Sequence, residues 1–224
     1  GAVSVANSII GQDSMGGGGD TRGFVEDSNN GTYLISYSFV NPGSVIAGFS
    51  DPSQVPFAGG ESQNMTIAPS SLTQALNAGT AVTLQANNDI TVSNAITATA
   101  GGAGGALTLQ AGRSVLIDAG IGITTDNGNL TLIANETAAN GVITAQRNAG
   151  AATIVMGSGA TLNAGTGNVL IELRDGAENG NIVLGGIQGN SVSVNNLGTT
   201  GTITQNGVLT ATTLGITNTV GSTD

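Results

Sequence analysis

From Gly79 onward the chain is a succession of short apolar triplets separated by turns rich in Gly, Asn and Asp. The triplets are Val82-Thr83-Leu84, Ile90-Thr91-Val92, Leu107-Thr108-Leu109, Val115-Leu116-Ile117, Leu130-Thr131-Leu132, Val142-Ile143-Thr144, Val169–Leu173, Ile182-Val183-Leu184, Val192-Ser193-Val194 and Thr202-Ile203-Thr204. Most alternate an apolar residue with Thr or Ser, a period of two that predicts strands buried on one face. Thr suits the solvent side of such strands. Helix is disfavoured: glycine supplies 37 of the 224 residues and costs about 1 kcal/mol each in a helix interior. Five Asn-Gly pairs, at Asn30, Asn127, Asn140, Asn179 and Asn206, predict turns with positive φ.

The triplets repeat. Ala81-Val82-Thr83-Leu84-Gln85-Ala86 aligns with Ala106-Leu107-Thr108-Leu109-Gln110-Ala111 and with Asn129-Leu130-Thr131-Leu132-Ile133-Ala134. With Leu84 as anchor, equivalents fall at Leu109, Leu132, Ile154, Ile171, Val194 and Ile216, in steps of 25, 23, 22, 17, 23 and 22 residues. A period in the low twenties carrying two or three short strands predicts a β-solenoid. A sandwich or closed barrel competes, but those use strands of about 5–6 residues and bury large aromatics. Here the interior supply is Val, Ile, Leu and Ala, which suits a narrow stacked bore. Coils advancing about 4.8 Å each would make a rod of roughly 30 Å.

Two regions differ in texture. All six aromatics, Phe24, Tyr33, Tyr37, Phe39, Phe49 and Phe57, lie in the first 57 residues, and the last proline is Pro69. Residues 1–64 are expected to form an aromatic-containing, β-rich cap or docking region, and residues 65–224 a parallel β-helix of about seven coils. In the first region Tyr33–Val40 alternates as a half-buried strand, and Met15–Asp20 is a glycine-rich loop. Leu72, Ala75 and Leu76 are spaced for one short helix or turn over Ser70–Ala78.

Composition removes several functions. The chain has no Cys, His, Trp or Lys, so thiol nucleophiles, disulfide frameworks, Cys/His zinc sites and His-containing triads are excluded. Four arginines face fourteen acidic residues for a net charge of −10, which leaves no basic stripe for nucleic acid. No apolar run approaches the roughly 18 residues of a membrane span, so membrane insertion is not expected. The start, Gly1-Ala2-Val3-Ser4, reads as that of a processed or excised piece of a longer protein.

Leu107-Thr108-Leu109-Gln110-Ala111-Gly112-Arg113-Ser114-Val115 and the run from Thr124 to Asn135, with Ala145-Gln146-Arg147 and the run from Leu162 to Val169, resemble the filamentous-haemagglutinin-type surface proteins of Gram-negative bacteria. The resemblance spans roughly residues 65–220. It implies an all-β, right-handed parallel β-helix from a large exported adhesin or filament, often secreted by a two-partner route, at the outer cell surface. Of the Asn-Pro motifs of that family's secretion domain, only Asn41-Pro42-Gly43-Ser44 is a partial match.

Each candidate site competes with a plain structural role. Glu172, Arg174, Asp175 and Glu178 form the densest charge cluster. Carboxylates about 5 to 9.5 Å apart could serve a polysaccharide-degrading enzyme, but Glu172 between Ile171 and Leu173 reads as an outward residue on a strand. No catalytic residue is assigned. Calcium is the one cofactor option: Met15–Asp20 and Gly101–Ala106 approach the glycine-rich nonapeptide of calcium-binding β-rolls, and Asp27-Ser28-Asn29-Asn30-Gly31 alternates oxygen ligands. Thr97-Ala98-Thr99, Thr202-Ile203-Thr204 and Thr210-Ala211-Thr212 could form hydroxyl rows, though irregular steps oppose a flat array. The expected function is a structural, extracellular adhesin shaft or fibre subunit, stacking end to end with copies of itself or adjacent modules. An alternative is a module binding glycans or host cells through Phe24, Tyr33, Tyr37, Phe39, Phe49 and Phe57.

Overall fold

The computed structural model describes residues 67–176 and 178–219, with five strand segments before them. In that first region β1 (Val25–Asp27) pairs antiparallel with β2 (Thr32–Leu34), and β3 (Tyr37–Asn41) with β4 (Ser44–Ala47). The single strand expected over Tyr33–Val40 is therefore divided: its two parts join different neighbours in separate two-stranded sheets. The short β5 (Gln54–Val55) lies parallel to the first solenoid strand.

The expected helix is present as α1 (Pro69–Asn77). Pro69 enters where its missing N–H costs nothing. Leu72, Ala75 and Leu76 share one buried face, and Gly79 (φ 74) follows the last turn. Those three side chains belong to the same apolar cluster as the solenoid interior.

Each coil then contributes three strands. The first holds β6 (Val82–Ala86), β7 (Ile90–Val92) and β8 (Ile96–Thr97); the second β9 (Leu107–Ala111), β10 (Val115–Ile117) and β11 (Gly122–Thr124). The third holds β12 (Leu130–Ala134), β13 (Ala152–Met156) and β14 (Thr161–Asn163), and the fourth begins with β15 (Val169–Leu173) and β16 (Asn179–Leu184). The long β17 (Gly186–Asn196) closes the fourth coil and opens the fifth, which continues through β18 (Ile203–Gln205) into β19 (Leu209–Asn218). Every pairing between coils is parallel. The result is a nearly all-β parallel solenoid of about five turns.

One of the seven expected anchors is misplaced, and the six levels marked by the others bound about five turns, not seven. Leu84, Leu109, Leu132, Ile171, Val194 and Ile216 do stack in register. Ile154 does not; it lies on the second face, between Val115 and Ile182. The step from Leu132 to Ile171 is a single coil enlarged by an excursion over residues 135–151. Val142-Ile143-Thr144, expected as a strand, belongs to that excursion and enters a 3₁₀ turn, Thr144–Gln146. The strands missed by pattern were β8, β11 and β14, whose two or three residues carry one inward apolar side chain each.

Inside, like stacks on like. Val82, Leu107, Leu130, Val169 and Val192 form one row, and Ile96, Ile123, Leu162 and Ile187 another; all are buried. No large ring is needed because the three walls approach closely, and aliphatic side chains fill the bore. Corners are made by glycine and asparagine. Asn127 (φ 77) and Gly141 (φ 106) use the left-handed region, as two of the Asn-Gly pairs predict. Asn179-Gly180 instead lies inside β16, and Asn206-Gly207 bends without positive φ. Asn30 lies outside the described residues.

Candidate functional site

Two places on the described surface depart from a uniform coil stack. The first is the excursion, which leaves the first face at Ala134 and rejoins the second at Ala152. It lies as a strap across four coil levels. Asn87 receives the Ile143 amide (2.8 Å) and donates to Gln146 (2.8 Å), and Asn88 receives the Asn148 amide (3.3 Å). One level on, Arg113 grips Asp89 in a bidentate pair and donates to the Ala149 carbonyl (3.0 Å). That bond to Asp89 raises the Arg113 guanidinium above its ordinary range, against a smaller opposing effect of burial. Arg147 donates to Gly112 O (2.9 Å), Asn135 Oδ1 (3.2 Å), Asn148 O (3.1 Å) and Gly150 O (3.3 Å). Asn135, at φ 58, turns the chain out of the coil and donates to Arg174 O (3.0 Å).

Glu136 is the centre of this network, its side chain 0% exposed. It accepts from the Thr137 amide (2.9 Å), Asn140 Nδ2 (2.6 Å), Arg174 Nη1 (3.1 Å) and Gln110 Nε2. Gln110 in turn receives Gln85 Nε2 (2.7 Å), so the carboxylate terminates a glutamine ladder rising through two coils. Burial pushes its pKa up, but the bonds from Asn140, Gln110 and Thr137 and the charge of Arg174 outweigh it, and the net displacement is downward. Ile133, an outward residue of β12, and Val142 of the strap itself are buried outside the bore.

This geometry places the charge cluster read from the sequence. Ile171 and Leu173 point inward and are buried, and Glu172 faces outward, 3.1 Å from Arg174 Nε. That contact attracts by charge without the alignment of a hydrogen bond. Arg174 thus lies between Glu172 and Glu136, while Asp175 and Glu178 are exposed. An ionised carboxylate with four donors converging on it has no proton to give, so Glu136 is built to hold the strap. Glu136, Asn135 and Arg147 were not singled out by sequence reasoning. The available signal was the broken repeat at Ile154, with Arg147 seven residues before it.

Other candidates fall elsewhere. Tyr33 lies in β2, and Tyr37 and Phe39 in β3; Phe24, Phe49, Phe57 and Met15–Asp20 lie outside the described residues, as do residues 28–31 of the Asp27–Gly31 run. In the Gly101–Ala106 turn, the Gly102 amide donates to Asp126 Oδ2 (2.9 Å) and the Gly102 carbonyl accepts from Asn127 (3.1 Å), so the loop is tied to the next coil. Among the described residues no three acidic side chains converge as metal ligands. Threonines stack over three levels at Thr83, Thr108 and Thr131, then give way to Leu170, Ser193 and Gly215. The row through Thr97, Thr124, Asn163, Gln188 and Thr210 is likewise mixed.

The second place is the last described coil. β19 pairs with β17 along one edge, and among the described residues no strand pairs the other. Among the described residues the last members of the inward rows are Leu214 (49% exposed) and Ile216 (41%), and Val208 (76%) and Leu197 (38%) are exposed as well. No charged residue occurs between Glu178 and Asp224. Comparison with protein-family models, curated proteins and solved structures finds no match to this chain.

Proposed function

We propose that the chain is a structural β-helix module, the shaft of an exported bacterial surface adhesin or fibre of filamentous-haemagglutinin type, joined at its ends to adjacent modules or other copies. One observation carries this reading. At the strap corner the charged side chains Asp89, Arg113, Glu136, Arg147 and Arg174 are engaged in bonds or ion pairs between coils or with the strap, and Glu172 pairs with Arg174 of its own coil, so that they hold the stack together rather than line an open cleft. The sequence resemblance supports the extracellular, Gram-negative setting.

Two measurements test it. Antibodies against the described coils should label intact cells that produce the full-length protein; labelling only after lysis would sink the surface assignment. Across a panel of neutral and acidic polysaccharides no new reducing or unsaturated ends should form. Turnover that disappears in Glu172→Gln would replace the structural reading with an enzymatic one.

A further inference from the structure

The strap is fastened to the coils by side chains. Among the described residues, every backbone–backbone bond made by residues 137–150 stays inside the strap. The strands on either side of it are each paired on both edges, β12 with β9 and β15, and β13 with β10 and β16. The strap can therefore lift from Thr137 to Gly150 without breaking a strand pair.

Asn140 is the part of this fastening that chemistry can change. Its side-chain amide donates to Glu136 Oε1 at 2.6 Å, and the next residue is Gly141. Of the four described Asn-Gly pairs, this is the one in which both residues are exposed. At Asn127-Gly128 and Asn179-Gly180 the glycine packs on the adjacent coil: a Cβ would stand 2.1 Å from Gly105 O at the first and 2.8 Å from Thr153 Cγ2 at the second. We propose that Asn140-Gly141 is a deamidation site, and that conversion of Asn140 to an acid releases the strap while the coils stay stacked. This goes beyond the structural-module reading and does not rest on it.

The reaction needs only water. The Gly141 backbone nitrogen bonds to Asn140 Cγ, the Cγ–Nδ2 bond breaks, and ammonia leaves carrying the proton from the attacking nitrogen. A five-membered succinimide ring results. Glycine favours closure because it carries no Cβ to restrict the turn. A water molecule then opens the ring at either carbonyl, giving aspartate or isoaspartate; nothing is oxidised or reduced. In the closed strap the Gly141 N–H is held by Ala138 O (3.1 Å) and the Asn140 side chain by Glu136. Ring closure therefore follows a transient lift, and the reaction is a slow, one-way timer.

The product cannot refasten. An ionised carboxylate has no proton to donate, and this one would meet the buried Glu136 carboxylate, still bonded by Gln110, Thr137 and Arg174. Two carboxylates sharing a site resist being charged together. Among the described residues Arg174 is the one cation paired with Glu136, and it already faces Glu172. No second positive charge offsets the new negative one.

Trypsin reads the release. The chain has no Lys and four Arg, and of these only Arg147 lies in the strap, bonded to Gly112 O and Asn135 Oδ1. Arg113 and Arg174 sit between strands of the coils. Asn140→Asp should be cut after Arg147 roughly 10- to 100-fold faster than wild type, the factor expected for losing a hydrogen bond to a charged group. Its far-UV circular dichroism should be unchanged. Asn140→Ala, which loses the donor without adding charge, should be cut at an intermediate rate. When the wild type is aged in neutral buffer, peptide mapping should find acid at Asn140 before Asn127 or Asn179, enriched in the fraction cut after Arg147. Cleavage of Asn140→Asp no faster than that of Asn140→Ala would remove charge from the release and overturn the proposal. So would an Asn140 that keeps its amide while Asn127 or Asn179 converts. Cutting of Asn140→Asp after Arg113 and Arg174 as readily as after Arg147 would overturn it too, because the coils would then be opening with the strap.

Discussion

An ideal Cβ built at Gly128 would stand 2.1 Å from the carbonyl oxygen of Gly105, one coil below, and 2.7 Å from that of Gly104. At Gly167 the same atom would meet the Gly128 carbonyl at 2.6 Å. Glycine therefore recurs at this corner because backbone stacks directly on backbone, which no side chain can yield to. Gly128→Ala should cost about 3 kcal/mol, near the top of the overpacking range, read as a lower urea midpoint at unchanged m. Gly120→Ala, whose Cβ would meet nothing within 4 Å, should cost only about 1 kcal/mol for its positive φ. Equal losses would mean that conformational freedom, not close approach, selects glycine here. Sequence composition announced many turns, but it could not distinguish these two reasons for a glycine.

The strap shows what an irregular element needs in order to lie on a regular one. In the outward row Gln85, Gln110, Ile133, Glu172 and Asn195, Ile133 is the single aliphatic, and it is the one that is buried. The excursion covers that residue, and Glu136 anchors it. The depressed folded pKa sets the sign of the pH effect. The carboxylate's contribution is complete above its unfolded value, about 4.3, and disappears as pH falls through the lower folded value. Glu136→Gln should therefore destabilise by roughly 1–3 kcal/mol at neutral pH. Urea titrations should show the gap to wild type closing below about pH 4. A gap constant with pH would assign Glu136 a packing role alone. The repeat pattern missed the strap because Val142-Ile143-Thr144 has a strand's composition, and only the absence of a neighbouring strand to pair with keeps it from being one.

At the scale of the molecule, a solenoid is quasi-one-dimensional: each coil is stabilised by the coils beside it, and the ends are its weakest places. Leu132 lies between Leu109 and Ile171 in the stack and is fully buried. Leu132→Ala should therefore cost about 2–5 kcal/mol, read as a lower urea midpoint, and hydrogen exchange should quicken in the coils on both sides as well as in its own. Faster exchange confined to β12 would argue that neighbouring coils do not stabilise one another.

Period, strand type and the aliphatic interior were legible because they depend on neighbours along the chain: alternation sets the buried face, and turn residues set the corners. The stacked register from Leu84 through Leu109 and Leu132 was readable for the same reason. What tertiary structure alone decided depends on residues far apart in sequence. It moved Ile154 to the second face, reduced seven coils to about five, and brought Glu136 to Arg174 across 38 positions. Local pattern specifies the shape of a coil, but only packing between coils determines what lies on its outside.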